Sequence, residues 1–141
     1  MSTGEKEQQD VQNASGEFEY KWEDGGVVNP VYKYVYLEDR EQPIHPIFVG
    51  RDTPNSIRET GLMFSFETFN FWGVNVPVGQ GYTVRSFAFG SDQEVLSGFI
   101  TGMINSSEKS GFFKFNLTVN TSRGIKTVQG AFILRQDRAA L

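Results

Sequence analysis

Alternation of apolar and other residues with a period of two is the feature that most limits how this chain can fold. In segment 112–120, Phe113, Phe115, Leu117 and Val119 occupy every second position, and polar residues fill all but one of the others. Successive side chains of a β-strand point to opposite faces, so this pattern predicts a strand with one buried face. We therefore expect Phe115 and Leu117 to be core residues.

The same period recurs along most of the chain. Glycine, proline and short polar runs separate the alternating segments and mark turns between them. Only residues 53–60 are suited to a helical turn, because Pro54 favours a first helical position and Thr53 a cap. The predicted strands are 17–23, 31–37, 47–50, 62–72, 82–89, 95–104, 112–120 and 125–135.

About eight strands with short sequential connections predict an all-β antiparallel meander. Such a meander forms a small closed barrel or a β-sandwich, and we favour the barrel. Gly98, Gly102 and Gly130 lie inside predicted strands, where glycines mark sharp bends or make room for a neighbouring Phe. The architecture resembles that of calycins. The Gly-x-Trp near the start of the first lipocalin strand is absent, so the resemblance carries over no family residues.

The length of 141 residues corresponds to one domain. Residues 1–16 are predominantly polar, which predicts a disordered N-terminal arm. Residues 17–136 are expected to form a single β-barrel domain. Residues 137–141 are expected to be a frayed tail.

Composition excludes several classes of functional site. The chain has no cysteine and one histidine, which excludes disulfide scaffolds, thiolate zinc sites, cysteine nucleophiles and two-histidine metal motifs. We expect no metal and no cofactor. A net charge of −4 argues against binding to nucleic acid or to an anionic membrane. Gly79-Gln80-Gly81 precedes a predicted strand, so it lacks the helix N-terminus that a phosphate loop needs.

The N-terminal residues do not resemble a targeting segment. They are polar and of mixed charge, and no window approaches the roughly eighteen apolar residues of a transmembrane helix. Together with the absence of cysteine, this predicts a cytoplasmic protein without a membrane span. Four Asn-x-Ser/Thr sequons, at Asn13, Asn105, Asn116 and Asn120, leave an extracellular location open.

Segment 62–72 is the strongest candidate for a functional strand. It carries aromatic residues on both faces, so both faces need a cover: a second layer, a partner chain or a ligand. Folding this segment against 82–90 places Glu67 opposite position 85 or 86, beside Arg85. The two residues are our candidate catalytic pair. They form either an exposed cross-strand ion pair or an acid–base pair at the floor of an aromatic pocket.

Aromatic residues make up 14% of the chain, with thirteen Phe, five Tyr and two Trp. Three of the tyrosines form a stripe on one face of segment 31–37, and such stripes occur at pocket rims and at interfaces. The expected ligand-binding residues are Trp22, Tyr32, Tyr34, Tyr36, Phe69, Phe71, Trp72 and Phe87.

Two functions are consistent with these features. The first is a barrel whose aromatic-lined pocket binds a hydrophobic small molecule, and which acts as a cofactor-independent cyclase or isomerase if Glu67 and Arg85 are catalytic. The second is a non-enzymatic structural or protein-interaction domain that assembles into a homo-oligomer or particle. A pocket predicts that Glu67 and Arg85 point inward. An assembly protein predicts exposed aromatic residues on an edge or face of the sheet.

Overall fold

The structure is a computed structural model that describes residues 14–37, 45–52 and 60–137. Within these ranges the chain consists of strands and turns, without a helix. Most of the predicted arm, the tail beyond residue 137 and nearly all of the predicted helical turn lie outside the described residues. The ten strands are β1 (Ala14–Trp22), β2 (Val27–Val28), β3 (Tyr32–Tyr36), β4 (Ile47–Arg51), β5 (Gly61–Phe66), β6 (Trp72–Pro77), β7 (Tyr82–Ala88), β8 (Ser91–Asn105), β9 (Ser110–Thr121) and β10 (Gly124–Gln136).

All strands belong to one antiparallel sheet in the order β2-β1-β10-β9-β8-β7-β5-β4-β3. The remaining strand, β6, is not part of this order and pairs with β8. Most neighbours in the sheet are consecutive in the chain, as a meander requires, and β1 joins beside β10. The prediction of an all-β, antiparallel, barrel-like fold is confirmed. The chain forms one continuous curled sheet, whereas a sandwich would need two facing sheets.

The sheet curls into a half-barrel, so that β3 at one end approaches β1 and β10 near the other. Two hydrogen bonds that use side chains bridge this seam. The Lys33 ammonium donates to the Gly16 carbonyl oxygen at 3.0 Å, and the Leu37 amide donates to Gln136 Oε1 at 3.2 Å. Gln136 is buried, so this bond also satisfies a polar group that burial would otherwise leave unpaired.

Aromatic side chains fill the interior of the half-barrel. Phe66 stacks on Phe113 with ring centroids 4.8 Å apart, and Phe18 stacks on Phe132 at 5.0 Å. Offset and edge-on ring contacts add roughly 0.5–1.5 kcal/mol each to the effect of burial alone. The interior is therefore a packed core without an open lumen among these rings. Its fully buried rings belong to Tyr82, Phe48, Phe64, Phe66, Phe113 and Phe132.

Two glycines show how the strands make room for these rings. A Cβ at Gly111 would lie 2.4 Å from the ring of Phe48. A Cβ at Gly102, where φ is +157°, would lie 2.7 Å from Phe113 and would also collide with the backbone of β9. Both positions therefore exclude a side chain. At Gly102, one of the three glycines predicted to lie inside strands, the expected accommodation of a neighbouring Phe is seen, and Gly111 has the same role.

The burial of Phe115 and Leu117, at 4% and 0% exposed, confirms their prediction as core residues. We expect Phe115→Ala to lower the free energy of unfolding by about 3–5 kcal/mol, because it opens a cavity among the rings. Phe112→Ala, on the same strand but 44% exposed, should change it by less than about 0.5 kcal/mol. Urea unfolding of dilute protein measures both values. Equal losses for the two variants would contradict the assignment of faces on β9.

Candidate functional site

A cleft opens at the end of the half-barrel where two hairpin turns meet. The turn between β7 and β8 forms one wall and the turn between β9 and β10 forms the other. The end of β1 and the start of β5 complete the cleft, whose volume is about 780 Å³. Ligand sites commonly have volumes of roughly 300–1,000 Å³, so the cleft has room for one small molecule.

Aromatic side chains line the cleft at three depths. Tyr20 is buried, and its ring lies edge-on to Phe18 of the core at 6.3 Å. Trp22 is half-buried one step further along the same face of β1. Phe87 is buried beside the turn between β7 and β8, and Phe89 within that turn is largely exposed. Aromatic side chains therefore line the cleft all the way from the edge of the core to the solvent.

Charged side chains form the rim of the cleft. Lys126 lies 2.9 Å from the Asp24 carboxylate, and Asp92 lies 2.6 Å from Arg85, which does not itself line the cleft. The hydrogen bond from Lys126 is the main reason that the pKa of Asp24 lies below its usual range, and Arg123 lowers it further. Both carboxylates of the rim therefore have basic partners. Arg123 stands in the exposed turn between β9 and β10 and lines the cleft.

Burial keeps the phenol of Tyr20 protonated. The pKa of Tyr20 lies well above its ordinary value. Burial away from solvent is the larger cause, and the nearby carboxylate of Asp52 raises the pKa further. Burial also raises the pKa of Asp52. A protonated phenol is neutral, so Tyr20 adds no charge to the wall of the cleft.

The expected contact between Glu67 and Arg85 is wrong. Arg85 lies opposite Met63 in the register of β5 and β7, and its guanidinium binds Asp92. Glu67 is exposed beyond the end of β5, where its amide donates to the Gly81 carbonyl oxygen at 3.0 Å. Segment 62–72 is not one strand: β5 ends at Phe66, and the chain then turns into β6, which pairs with β8. The sequence-based pairing of segment 62–72 with segment 82–90 treated the two as consecutive strands, so it missed β6 between them.

The expected ligand-binding residues do not converge on one lumen. Trp22 and Phe87 line the cleft together. The tyrosines at positions 32, 34 and 36 are half-buried along β3, where the rings of Tyr34 and Tyr36 lie 6.2 Å apart. Phe69 and Phe71 pack against the core from the connection between β5 and β6. Trp72 is exposed on the outer face. Only two of the eight residues therefore belong to the cleft.

The sequence-based interpretation did not select Tyr20, Phe89 or the charged residues of the rim. A signal for them was available in the order of the strands. In an antiparallel meander, the turns that follow every second strand lie at the same end of the sheet. The predicted turns near Gly90 and Gly124 both follow such strands, so their flanking residues could have been placed together.

Comparison with known protein families, curated proteins and solved structures finds no match to this chain. The described ranges contain no helix that is long and apolar enough to cross a membrane. The same residues include no group of three or more His, Cys, Asp or Glu side chains placed to hold a metal ion. His45, the one histidine, is exposed. The function proposed below therefore depends on the geometry of the cleft.

The two buried phenols provide a test of these electrostatics. Burial raises the pKa of both Tyr20 and Tyr82, so the folded protein retains protons that the unfolded chain releases above about pH 10. We expect the free energy of unfolding to fall as the pH rises above that value. Ultraviolet titration of phenolate, compared between the wild type and the variants Tyr20→Phe and Tyr82→Phe, should show that Tyr20 and Tyr82 ionise later than a free tyrosine. Ionisation of all five in one step near pH 10 would contradict the assigned burial.

Proposed function

We propose that this protein binds a small molecule with a flat apolar body in the cleft at the end of the half-barrel. The observation that carries the proposal is the convergence of Tyr20, Trp22, Phe87 and Phe89 on one cavity of about 780 Å³. Aromatic side chains favour flat apolar partners, because rings stack face to face or edge to face with little loss of conformational freedom.

The packed interior supports a ligand position outside the ring cluster. Rings at centroid separations of 4.8–6.5 Å occupy the space between the walls, so a ligand inside the barrel would have to displace them. The cleft needs no such displacement, since Trp22 and Phe89 are already in contact with solvent there. This supports a ligand position against Trp22 and Phe89 at the mouth, outside the ring cluster.

The rim indicates the polar part of the ligand. Lys126 and Arg85 each form an ion pair with a carboxylate of the chain, and Arg123 lines the cleft from the exposed turn between β9 and β10. An anionic group at one end of the ligand would reach the Arg123 guanidinium while the apolar body lies on the aromatic wall. We limit the proposal to binding. The acid–base pair that the sequence indicated is not formed, and a phenol with a raised pKa, such as that of Tyr20, is a weak acid.

Anilinonaphthalene sulfonate is a suitable probe, because it combines two aromatic groups with one anion. The experiment uses Trp72→Phe, which leaves Trp22 as the single tryptophan and as the reporter within the cleft. We expect saturable quenching of Trp22 emission. Phe89→Ala in this background should raise the dissociation constant roughly 5- to 10-fold, equivalent to about 1–1.4 kcal/mol.

Phe99→Ala is the matched control, since Phe99 is also an exposed Phe but lies on the outer face of β8. It should leave the dissociation constant unchanged. Arg123→Gln should weaken binding of the sulfonate probe and have no effect on phenylnaphthylamine, the same molecule without the sulfonate. Equal losses for Phe89→Ala and Phe99→Ala, or quenching that does not saturate, would contradict a site in the cleft.

A further inference from the structure

Four apolar side chains form a continuous row across the outer face of the sheet. Trp72 of β6 lies opposite Met103 of β8, which lies opposite Phe112 of β9. Phe112 in turn lies opposite Ile133 of β10. Residues directly opposite on neighbouring strands share one face. That face is turned away from the core, because the exposed fraction of these side chains runs from 44% for Phe112 to 75% for Trp72. We call these four residues the apolar row.

Seven polar residues and one alanine flank the apolar row on its two sides. Isolated exposed apolar residues are ordinary, but four that are contiguous across four strands form a patch. An apolar centre with a polar rim is also the usual layout of a protein–protein interface. One flanking row consists of Asn105, Ser110, Arg135 and Ser15, and the other of Thr101, Lys114, Ala131 and Glu19.

The neighbouring sheet edge is not suited to association. Among the described strands, β6 pairs only with β8. Its register shifts between Gly73 and Val76, and Asn75 at that bulge has a φ of +50°. Pro77 closes the strand and has no amide hydrogen to donate. Bulges and prolines of this kind prevent edge-to-edge pairing, so the face is the surface available to a partner.

We propose that the apolar row is the interface of a weak two-fold dimer of this chain, in which the rows of two copies lie along each other. A row that crosses the strands lies over its own copy when the symmetry axis runs along it. Each apolar side chain then faces the same residue of the second copy. This is an isologous contact, which closes at two subunits and leaves no further apolar surface from the row.

One charged pair beside the row favours this axis, whereas Glu17, which is exposed and lies opposite Ile133 at the end of the row, faces Glu17 of the second copy. Rotation about the row places Arg135 of one copy over Ala131 of the other. Ala131 pairs with Lys114 on one side and with Glu19 on the other. The small side chain of Ala131 leaves room for the guanidinium to turn toward Glu19 and away from Lys114. By symmetry the dimer gains two such contacts, one at each side of the row.

The area of the patch indicates a transient dimer. Strands are about 4.8 Å apart and alternate residues of a strand about 6.7 Å apart, so four or five strands and three rows cover roughly 400–500 Å² per copy. Stable interfaces bury roughly 800 Å² per partner, and smaller ones belong to weak complexes. We therefore expect a dissociation constant in the range of about 10 μM to 1 mM.

Sedimentation velocity of the full chain from about 5 μM to about 1 mM tests the proposal. The wild-type protein should pass from monomer to dimer, and Ile133→Glu should raise the dissociation constant at least about 10-fold. Ile125→Glu is the matched control, because Ile125 is an exposed isoleucine on the same strand and the same face. It should dimerise like the wild type.

Cross-linking tests the axis itself. The chain has no cysteine, so Met103→Cys introduces a single thiol. Faces packed about 10 Å apart would bring that thiol over its own copy, within reach of a short bis-maleimide. In Thr101→Cys the two thiols would lie roughly 17 Å apart, because Thr101 is one row away from the axis. We expect Met103→Cys to cross-link efficiently and Thr101→Cys to cross-link poorly.

Several outcomes would overturn the proposal. They are a wild-type protein that stays monomeric at about 1 mM, an Ile133→Glu variant that dimerises normally, association beyond the dimer, and equal cross-linking of the two cysteine variants. The proposal is independent of the cleft. The row crosses β9 at Phe112, whereas β9 lines the cleft at Asn120 and Thr121 near its other end. A failure of the probe to bind would therefore not bear on the dimer. A failure of the protein to dimerise would not bear on binding in the cleft.

Discussion

Contact among phenylalanine rings is the interaction on which the rest of this structure depends. Phe113 lies at the centre, with the rings of Phe48, Phe66, Phe71 and Phe132 all within 4.8–6.3 Å. Apart from Phe71, these rings come from β4 and β5 in one half of the sheet and from β9 and β10 in the other, so the cluster holds the curl that brings β3 back toward β1 and β10. Side-chain hydrogen bonds then bridge the seam, where neighbouring strands elsewhere share a backbone ladder.

Because aromatic rings fill the interior, the candidate functional sites lie on the surface of the half-barrel. Eight-stranded barrels that bind ligands inside need a lumen, and here rings occupy that space. Two features remain: a cleft where aromatic residues emerge at the mouth, and the apolar row on the outer face. The two hypotheses drawn from the sequence therefore apply to different parts of the molecule, and both remain proposals.

The alternation of apolar and polar residues predicted the strands well, because it shows which face of each strand is buried. Phe115 and Leu117 were assigned to the core on this basis. The Glu67–Arg85 contact failed because register depends on where a strand ends, and the aromatic run from Phe64 to Trp72 hides the turn between β5 and β6. The predicted aromatic lining failed for a related reason. Periodicity shows that an aromatic residue shares a face with its neighbours, but not whether that face meets a ring, a cleft or solvent.

The central claim, that the ring cluster is closed and that ligands bind outside it, is tested most directly by NMR of protein with labelled phenylalanine rings. The spectra are recorded during titration with anilinonaphthalene sulfonate. The account predicts that Phe87 and Phe89 shift with the probe while Phe113 and Phe132 keep their positions. Saturable shifts at Phe113 or Phe132 would show that the probe enters the interior and would contradict the account.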